Sequence, residues 1–308
     1  MSGRRHPPRR LRTGIAGGLA LVAVLLAVTD PGVRPAESYC GTGWAAEVEP
    51  AAAPATVKKG VGTWYYAGVE QALATADLPW YYTWKAGTDG ATAPPGSEFV
   101  PMIWGADQVN ATDLAAAQAA GAPVLGFNEP DRADQSNLTV DEALTLWPQL
   151  TALDAELGSP AVSANAATPG GWLDRFLAGT EAQRLRVDFI ALHWYGTDFT
   201  DPARAASDLC RYLASAYDCY HLPIWLTEYA LADFTAGLAD GSYPTAAEQA
   251  AFVEASVPLL ERLPFVARFA WFSLSDVGTE SRTGLYSDAT TLSPAGHAYF
   301  RPRPPDRP

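Results

Sequence analysis

From Lys58 onward, short runs of apolar, β-branched or aromatic residues alternate with longer segments of helical pattern. The runs are Gly60–Trp64, Trp80–Trp84, Phe99–Trp104, Val124–Phe127, Ala161–Ala164, Val187–Trp194, Ile224–Thr227 and Val266–Phe272. Each has the length and side-chain type of a buried strand. Between them, Thr139-Val-Asp-Glu142 and Thr245-Ala-Ala-Glu248 fit capping boxes, in which hydroxyl and carboxylate satisfy the free N–H groups of a helix start. Asn110–Ala120 and Pro202–Ala216 read as further helices, and Pro148 and Pro258 should kink or split the helical patterns that contain them. Repeating units of about 30 residues are the size of one strand–helix–strand module. Together they predict an α/β fold, a (β/α)8 TIM barrel in a single domain, which typically takes about 250 residues. An open doubly wound sheet is the alternative. Its nucleotide signature is missing, because Gly60-Val-Gly62 lacks a third glycine and no Gly-Lys-Ser/Thr loop occurs.

The flanks follow different patterns. Arg4, Arg5, Arg9, Arg10 and Arg12 precede the apolar stretch Ile15–Val28. This is the layout of a secretory signal, and the stretch falls short of the about 20 residues a membrane span needs. Residues 1–36 are therefore expected to be a signal peptide, or an N-terminal anchor if uncut, and the protein to be secreted or held at the membrane. Residues 37–57, with Glu-Pro and Ala-Ala-Ala-Pro runs, read as a flexible linker, 58–300 as the barrel domain and 301–308 as a disordered tail. Export permits disulfides. Cys210 and Cys219 would bridge if a short loop returned the second to the first, and would otherwise both be free; Cys40 is left over in the linker.

Charge narrows the function. The chain carries 34 acidic against 21 basic residues, and the N-terminal segment takes six arginines with it but only Asp30. The remaining body is more acidic still and would repel nucleic acid. Ten Trp and thirteen Tyr suit a neutral ligand read through aromatic surfaces. Four His and three Cys leave little material for a metal centre, so no metal and no cofactor is expected.

Barrel enzymes place their chemistry where strands end. The ends here are Trp64, Trp84, Trp104, Asn128-Glu129-Pro130, Asn165, His193-Trp-Tyr-Gly196, Glu228-Tyr229 and Trp271-Phe272. Glu129 and Glu228 each follow apolar strand residues directly, where a charge costs more than on a helix surface. Two carboxyls across an indole-lined mouth describe a glycosidase cleft: sugar faces stack on aromatic planes, one carboxyl protonates the leaving oxygen, and the other attacks the anomeric carbon. Taken singly, either glutamate is as well explained as an ion-pair partner. His193 is either a substrate contact or a core histidine, and Asp131 shapes the loop.

Leu125-Gly-Phe-Asn-Glu-Pro-Asp131, Trp80-Tyr-Tyr-Thr-Trp84, Phe99-Val-Pro-Met-Ile-Trp-Gly105 and Trp225-Leu-Thr-Glu-Tyr229 together resemble glycoside hydrolase family 128 from about Lys58 to Phe300. The resemblance implies a secreted endo-β-1,3-glucanase with a clan A barrel. It makes Glu129 the general acid/base, Glu228 the nucleophile, Asn128 the contact to the sugar 2-hydroxyl and Tyr195 the hydroxyl that orients the nucleophile. Trp271 would be the platform under the sugar being cleaved, with Trp84 and Trp104 stacking on neighbouring sugars. Thr83 departs from the pattern, standing where an amide-like residue is expected. The partner implied is a β-glucan polysaccharide or oligosaccharide bound by a monomer. Two other functions compete: a clan A glycosidase acting on another β-glucan or mannan, and a non-catalytic glucan-binding cell-wall protein. The second predicts loss of one glutamate, and both are present.

Overall fold

The computed structural model describes residues 58–279 and 281–301. Six parallel strands form one sheet in the order β3-β2-β1-β6-β5-β4: β1 (Lys59–Gly62), β2 (Trp80–Tyr82), β3 (Glu98–Phe99), β4 (Ile190–Gly196), β5 (Ile224–Leu231) and β6 (Val266–Phe272). Two further positions lie between β3 and β4 and are joined by isolated parallel bridges: Met102 to Leu125, Val124 to Leu157, Asn128 to Ala161, and Gly158 to Phe189. Backbone hydrogen bonds of 2.9–3.0 Å from Ile103 to Leu125, Gly158 to Val124 and Ser159 to Phe189 carry the circuit round. The fold is the expected (β/α)8 class.

The irregular positions have a local cause. Pro101 and Pro160 offer no N–H to a ladder. A Cβ on Gly126 would come within 2.8 Å of the Gly158 carbonyl, so these backbones approach too closely for side chains. The fifth run accordingly pairs at 157–161, earlier than its apolar residues suggested.

Both capping boxes form. Thr139 caps Val140–Thr151, and Thr245 caps Ala246–Arg262. Asn110 caps Ala111–Ala120 by accepting from the Thr112 and Asp113 N–H groups. Pro148 and Pro258 lie inside their helices without splitting them. The helix from Pro202 continues to Tyr220 and so contains both Cys210 and Cys219. Nine residues of helix separate their backbones by about 13 Å along the axis, beyond the roughly 7 Å that a disulfide spans. Neither the Cys210–Cys219 bridge nor the alternative of two free thiols holds: Cys210 is disulfide-bonded, whereas Cys219 is a free, exposed thiol. Cys40, the signal or anchor and the linker lie outside the described residues, as does most of the expected tail.

Strand alternation sorts the core into two layers. Trp80, Tyr82, Met102, Leu125, Phe189 and Trp225 belong to a cluster inside the barrel; Tyr81, Phe127, Leu226, Phe269 and Trp271 belong to the cluster under the helices. Gly60 and Gly62 make room for this interior, since a Cβ on either would meet the Trp80 ring at 2.2 Å or the Trp84 ring at 2.6 Å. At the N-terminal ends of the strands Arg268 closes the barrel. Its guanidinium lies 4.3 Å from the Trp225 ring centre and 5.6 Å from that of Trp80, and it is ion-paired to Glu98.

Candidate active site

At the opposite ends of the strands lies a cleft of about 560 Å³ lined by Trp84, Trp104, Asn128, Glu129, Arg132, Gln135, Tyr195, Glu228, Phe234 and Phe272, among others. Glu129 follows the bridge residue Asn128 on backbone with φ 39°. Left-handed backbone costs a residue other than glycine about 1–2 kcal/mol. The turn is held by hydrogen bonds from the Asn128 N–H to the Trp104 carbonyl (2.9 Å) and from the Glu129 N–H to the Ala161 carbonyl (2.7 Å). Asp131 accepts from the Ser163 N–H and hydroxyl and so shapes the loop.

Glu228 reaches the cleft by a different irregularity. Its strand pairs Leu192 with Leu226 but His193 with Glu228, so Thr227 is the extra residue of a bulge. Without the bulge, alternation from Trp225 would point Glu228 outward; with it, Glu228 faces in and Tyr229 packs under the helices.

Neutral donors hold the Glu228 carboxyl. Trp84 Nε1–H donates to Oε1 at 2.7 Å, and the Tyr195 hydroxyl donates to Oε2 at 2.5 Å. Burial pushes this carboxyl up from its ordinary value; the His193 charge and both donors pull the other way. Burial and then the Glu228 charge hold the Tyr195 phenol well above its usual range, so it remains a donor. Phe272 meets Trp84 and Tyr195 edge-on at 5.6 and 5.7 Å, and Phe234 meets Tyr195 at 4.7 Å, completing an aromatic wall.

Charged groups surround Glu129 instead. Arg132 Nε lies 3.5 Å from Oε2 while its guanidinium is held by Asp134. His193 Nδ1 lies 2.9 Å from Oε1. One carboxylate oxygen from each of Glu129 and Glu228 and one ring nitrogen of His193 lie within 4.8 Å of one another. The Asn128 amide donates to Gln135 at 3.1 Å, leaving its buried Oδ1 without a partner among the described residues.

Two of the expected residues lie elsewhere. Trp271 is fully buried under the helices, and its indole donates to the Thr283 carbonyl at 2.7 Å, so it is no sugar platform. Phe272, one step on and of opposite parity, faces the cleft. His193 has no exposed surface and cannot touch substrate; it lies on the same strand face as Tyr195, one layer deeper. Arg132, Gln135 and Phe234 lie outside the strand-end residues that the sequence singles out, whereas Phe272 is one of them and takes the place expected of Trp271. Parity along β6 could have identified Phe272.

A family model described as the glycosyl hydrolase catalytic core matches residues 62–299. An endo-β-1,3-glucanase of glycoside hydrolase family 128, subgroup I, from Amycolatopsis mediterranei, solved with laminaritriose, is 53% identical. That match covers 79% of this chain and 98% of that one, with a TM-score of 0.75. The chain belongs to glycoside hydrolase family 128. A subgroup II endo-β-1,3-glucanase from Sorangium cellulosum is 29% identical over 79% of this chain and 97% of its own, with a TM-score of 0.65. Alkali-sensitive linkage protein 1 of Schizosaccharomyces pombe is 30% identical over 246 residues, 76% of this chain and 42% of that protein. This family 128 chain thus spans less than half of that curated relative. It is a glycoside hydrolase, and the Amycolatopsis enzyme has been crystallised with laminaritriose and, as a mutant, with laminaripentaose.

Proposed function

We propose that this enzyme cleaves internal bonds of β-1,3-glucan with retention of configuration, Glu228 acting as nucleophile and Glu129 as acid/base. The observation that carries this reading is the approach of the two carboxyls, with oxygens within 4.8 Å of each other. Retaining enzymes place the pair about 5–5.5 Å apart, whereas inverting ones need about 6.5–9.5 Å to admit a water. Glu228 attacks the anomeric carbon while Glu129 gives its proton to the departing glycosidic oxygen. Water then attacks the glycosyl ester, Glu129 takes the water's proton, and the Glu228 carboxylate is released. Asn128, whose unpartnered Oδ1 lies beside the cleft, supports a role in holding the 2-hydroxyl.

The substrate assignment draws on the 53% identical endo-β-1,3-glucanase and on the stacking surfaces of Trp84, Trp104 and Phe272. The basic and apolar N-terminal pattern supports action outside the cell. Laminarin and carboxymethylcellulose should be digested in parallel, with proton NMR following the first-formed anomer. Laminarin is expected to yield short oligosaccharides of β configuration. Preferential hydrolysis of carboxymethylcellulose, or a first-formed α product, would overturn the reading.

A further inference from the structure

His193 is in hydrogen-bond contact with one glutamate and faces the other, yet nothing in the cycle above uses it. We propose that His193 is held as an imidazolium between Glu129 and Glu228 and shifts its counter-charge from the nucleophile to the acid/base when the glycosyl ester forms. The proposal rests on the retaining reading and makes His193 a positioning residue.

The geometry supports it by elimination. Nδ1 lies 2.9 Å from Glu129 Oε1, and Nε2 lies 3.5 Å from Glu228 Oε1 with no hydrogen-bond partner among the described residues. A neutral ring protonated on Nδ1 would turn its Nε2 lone pair toward the Glu228 oxygen. A neutral ring protonated on Nε2 would take a proton from Glu129 Oε1 into the barrel, away from the glycosidic oxygen. Only the doubly protonated ring presents an N–H to each carboxyl and leaves the proton of the acid to Glu129 Oε2, whose one charged neighbour, Arg132 Nε, stands off at 3.5 Å and is held by Asp134. The charged groups acting on it are Glu129 and Asp131, from the loop after the fourth barrel position, and Glu228, from the adjacent strand. Burial draws the imidazole down; the Glu228 charge, the Glu129 hydrogen bond and the remaining acidic charges outweigh it and leave it raised.

The charges then change in sequence. In the resting enzyme Glu228 is the anion that the imidazolium faces. Ester formation neutralises Glu228 as Glu129 loses its proton to the leaving group. His193 then faces a single anion, Glu129, in the form that must act as base. The imidazolium keeps its own protons throughout; the partner changes and the ring does not.

Labelling the ring nitrogens of the four histidines with ¹⁵N in the full-length enzyme tests this by NMR titration. The His193 signal is identified by its loss in His193→Asn or, should that variant not fold, by its response in Glu129→Gln. It should report a charged ring well above the ordinary histidine midpoint of about 6.5. The midpoint should fall in Glu228→Gln, whereas esterification of Glu228 by a 2-deoxy-2-fluoro-glucoside should leave the ring charged, held by the Glu129 anion. In kinetics, His193→Gln should slow hydrolysis of that ester at least about tenfold, the loss expected from one charge-assisted hydrogen bond. A neutral ring in the resting enzyme, or an unmoved midpoint in Glu228→Gln, overturns the proposal. Failure of the fluoro-glucoside to add mass at Glu228 overturns the retaining reading, while the Glu228→Gln titration still decides the state of His193.

Discussion

Glu129 and Glu228 approach within 4.8 Å and share His193, but their other contacts have little in common. Glu228 is gripped by neutral donors, an indole and a phenol, inside an aromatic wall. Glu129 shares its oxygens with an imidazole and a guanidinium, the latter also tied to Asp134. Fixed neutral dipoles suit a group that must stay anionic and aimed until it attacks. Charged neighbours suit a group that must be neutral in one half of the cycle and anionic in the other. The contrast supports the proposed roles independently of chain order, and it can be broken.

The largest effect should come from deleting either glutamate. Glu228→Ala should abolish turnover of every substrate, with azide restoring an α-glycosyl azide by a single inversion. Glu129→Ala should cost about 10²–10⁴-fold on glucan, far less on an aryl glycoside with a good leaving group, and azide should there give the β product. Proton NMR separates the anomers, and finding them exchanged would exchange the roles.

Tyr195→Phe tests the grip on Glu228. It deletes one hydrogen bond to a charged group, worth about 1.5–3 kcal/mol, and should lower kcat by about 10–100-fold with a melting temperature several degrees lower. A loss in KM alone would mean that the hydroxyl serves the sugar.

Two tryptophans separate cleft from core. Trp271→Ala empties a fully buried site and should destabilise by about 3–5 kcal/mol in denaturant unfolding. Trp104→Ala should keep its stability and weaken laminari-oligosaccharide binding by up to about tenfold in calorimetry. If Trp104→Ala unfolds the protein as Trp271→Ala does, Trp104 belongs to the core.

The smallest effect concerns stability against pH. Burial raises the Glu228 carboxyl above the 4.5 of an unfolded chain, so the folded state binds that proton more tightly and loses stability as pH rises through the window above 4.5. Glu228→Gln removes the charge and should melt a few degrees higher than wild type at pH 7. Thermal scans should find the gap closing as pH falls toward 4. A gap that widens at low pH would reverse the sign and place Glu228 among the stabilising carboxylates.

Much of this was legible in the chain. Capping boxes at Thr139 and Thr245 involve residues three apart, and glutamates at strand ends stand out because apolar runs precede them. Trp271 was misplaced for want of parity: Phe269 and Trp271 share one face of β6 and Phe272 takes the other, a period of two that the residues already carried. His193 was half-read. Its spacing from Tyr195 puts both on one face, but spacing cannot say that the residue one layer deeper is covered.

What local pattern settled was the order of strands and helices, the caps, and the identity of the acidic strand ends, because those depend on neighbours within a few residues. Tertiary structure decided the rest. The Thr227 bulge that turns Glu228 inward exists only in register with β4, and the left-handed turn at Glu129 is held by carbonyls of two other barrel positions. The imidazole between the glutamates and the separation of Cys210 from Cys219 likewise depend on how far elements extend and what they pack against. Alternation along a strand is a property of the chain; register between strands is a property of the closed barrel.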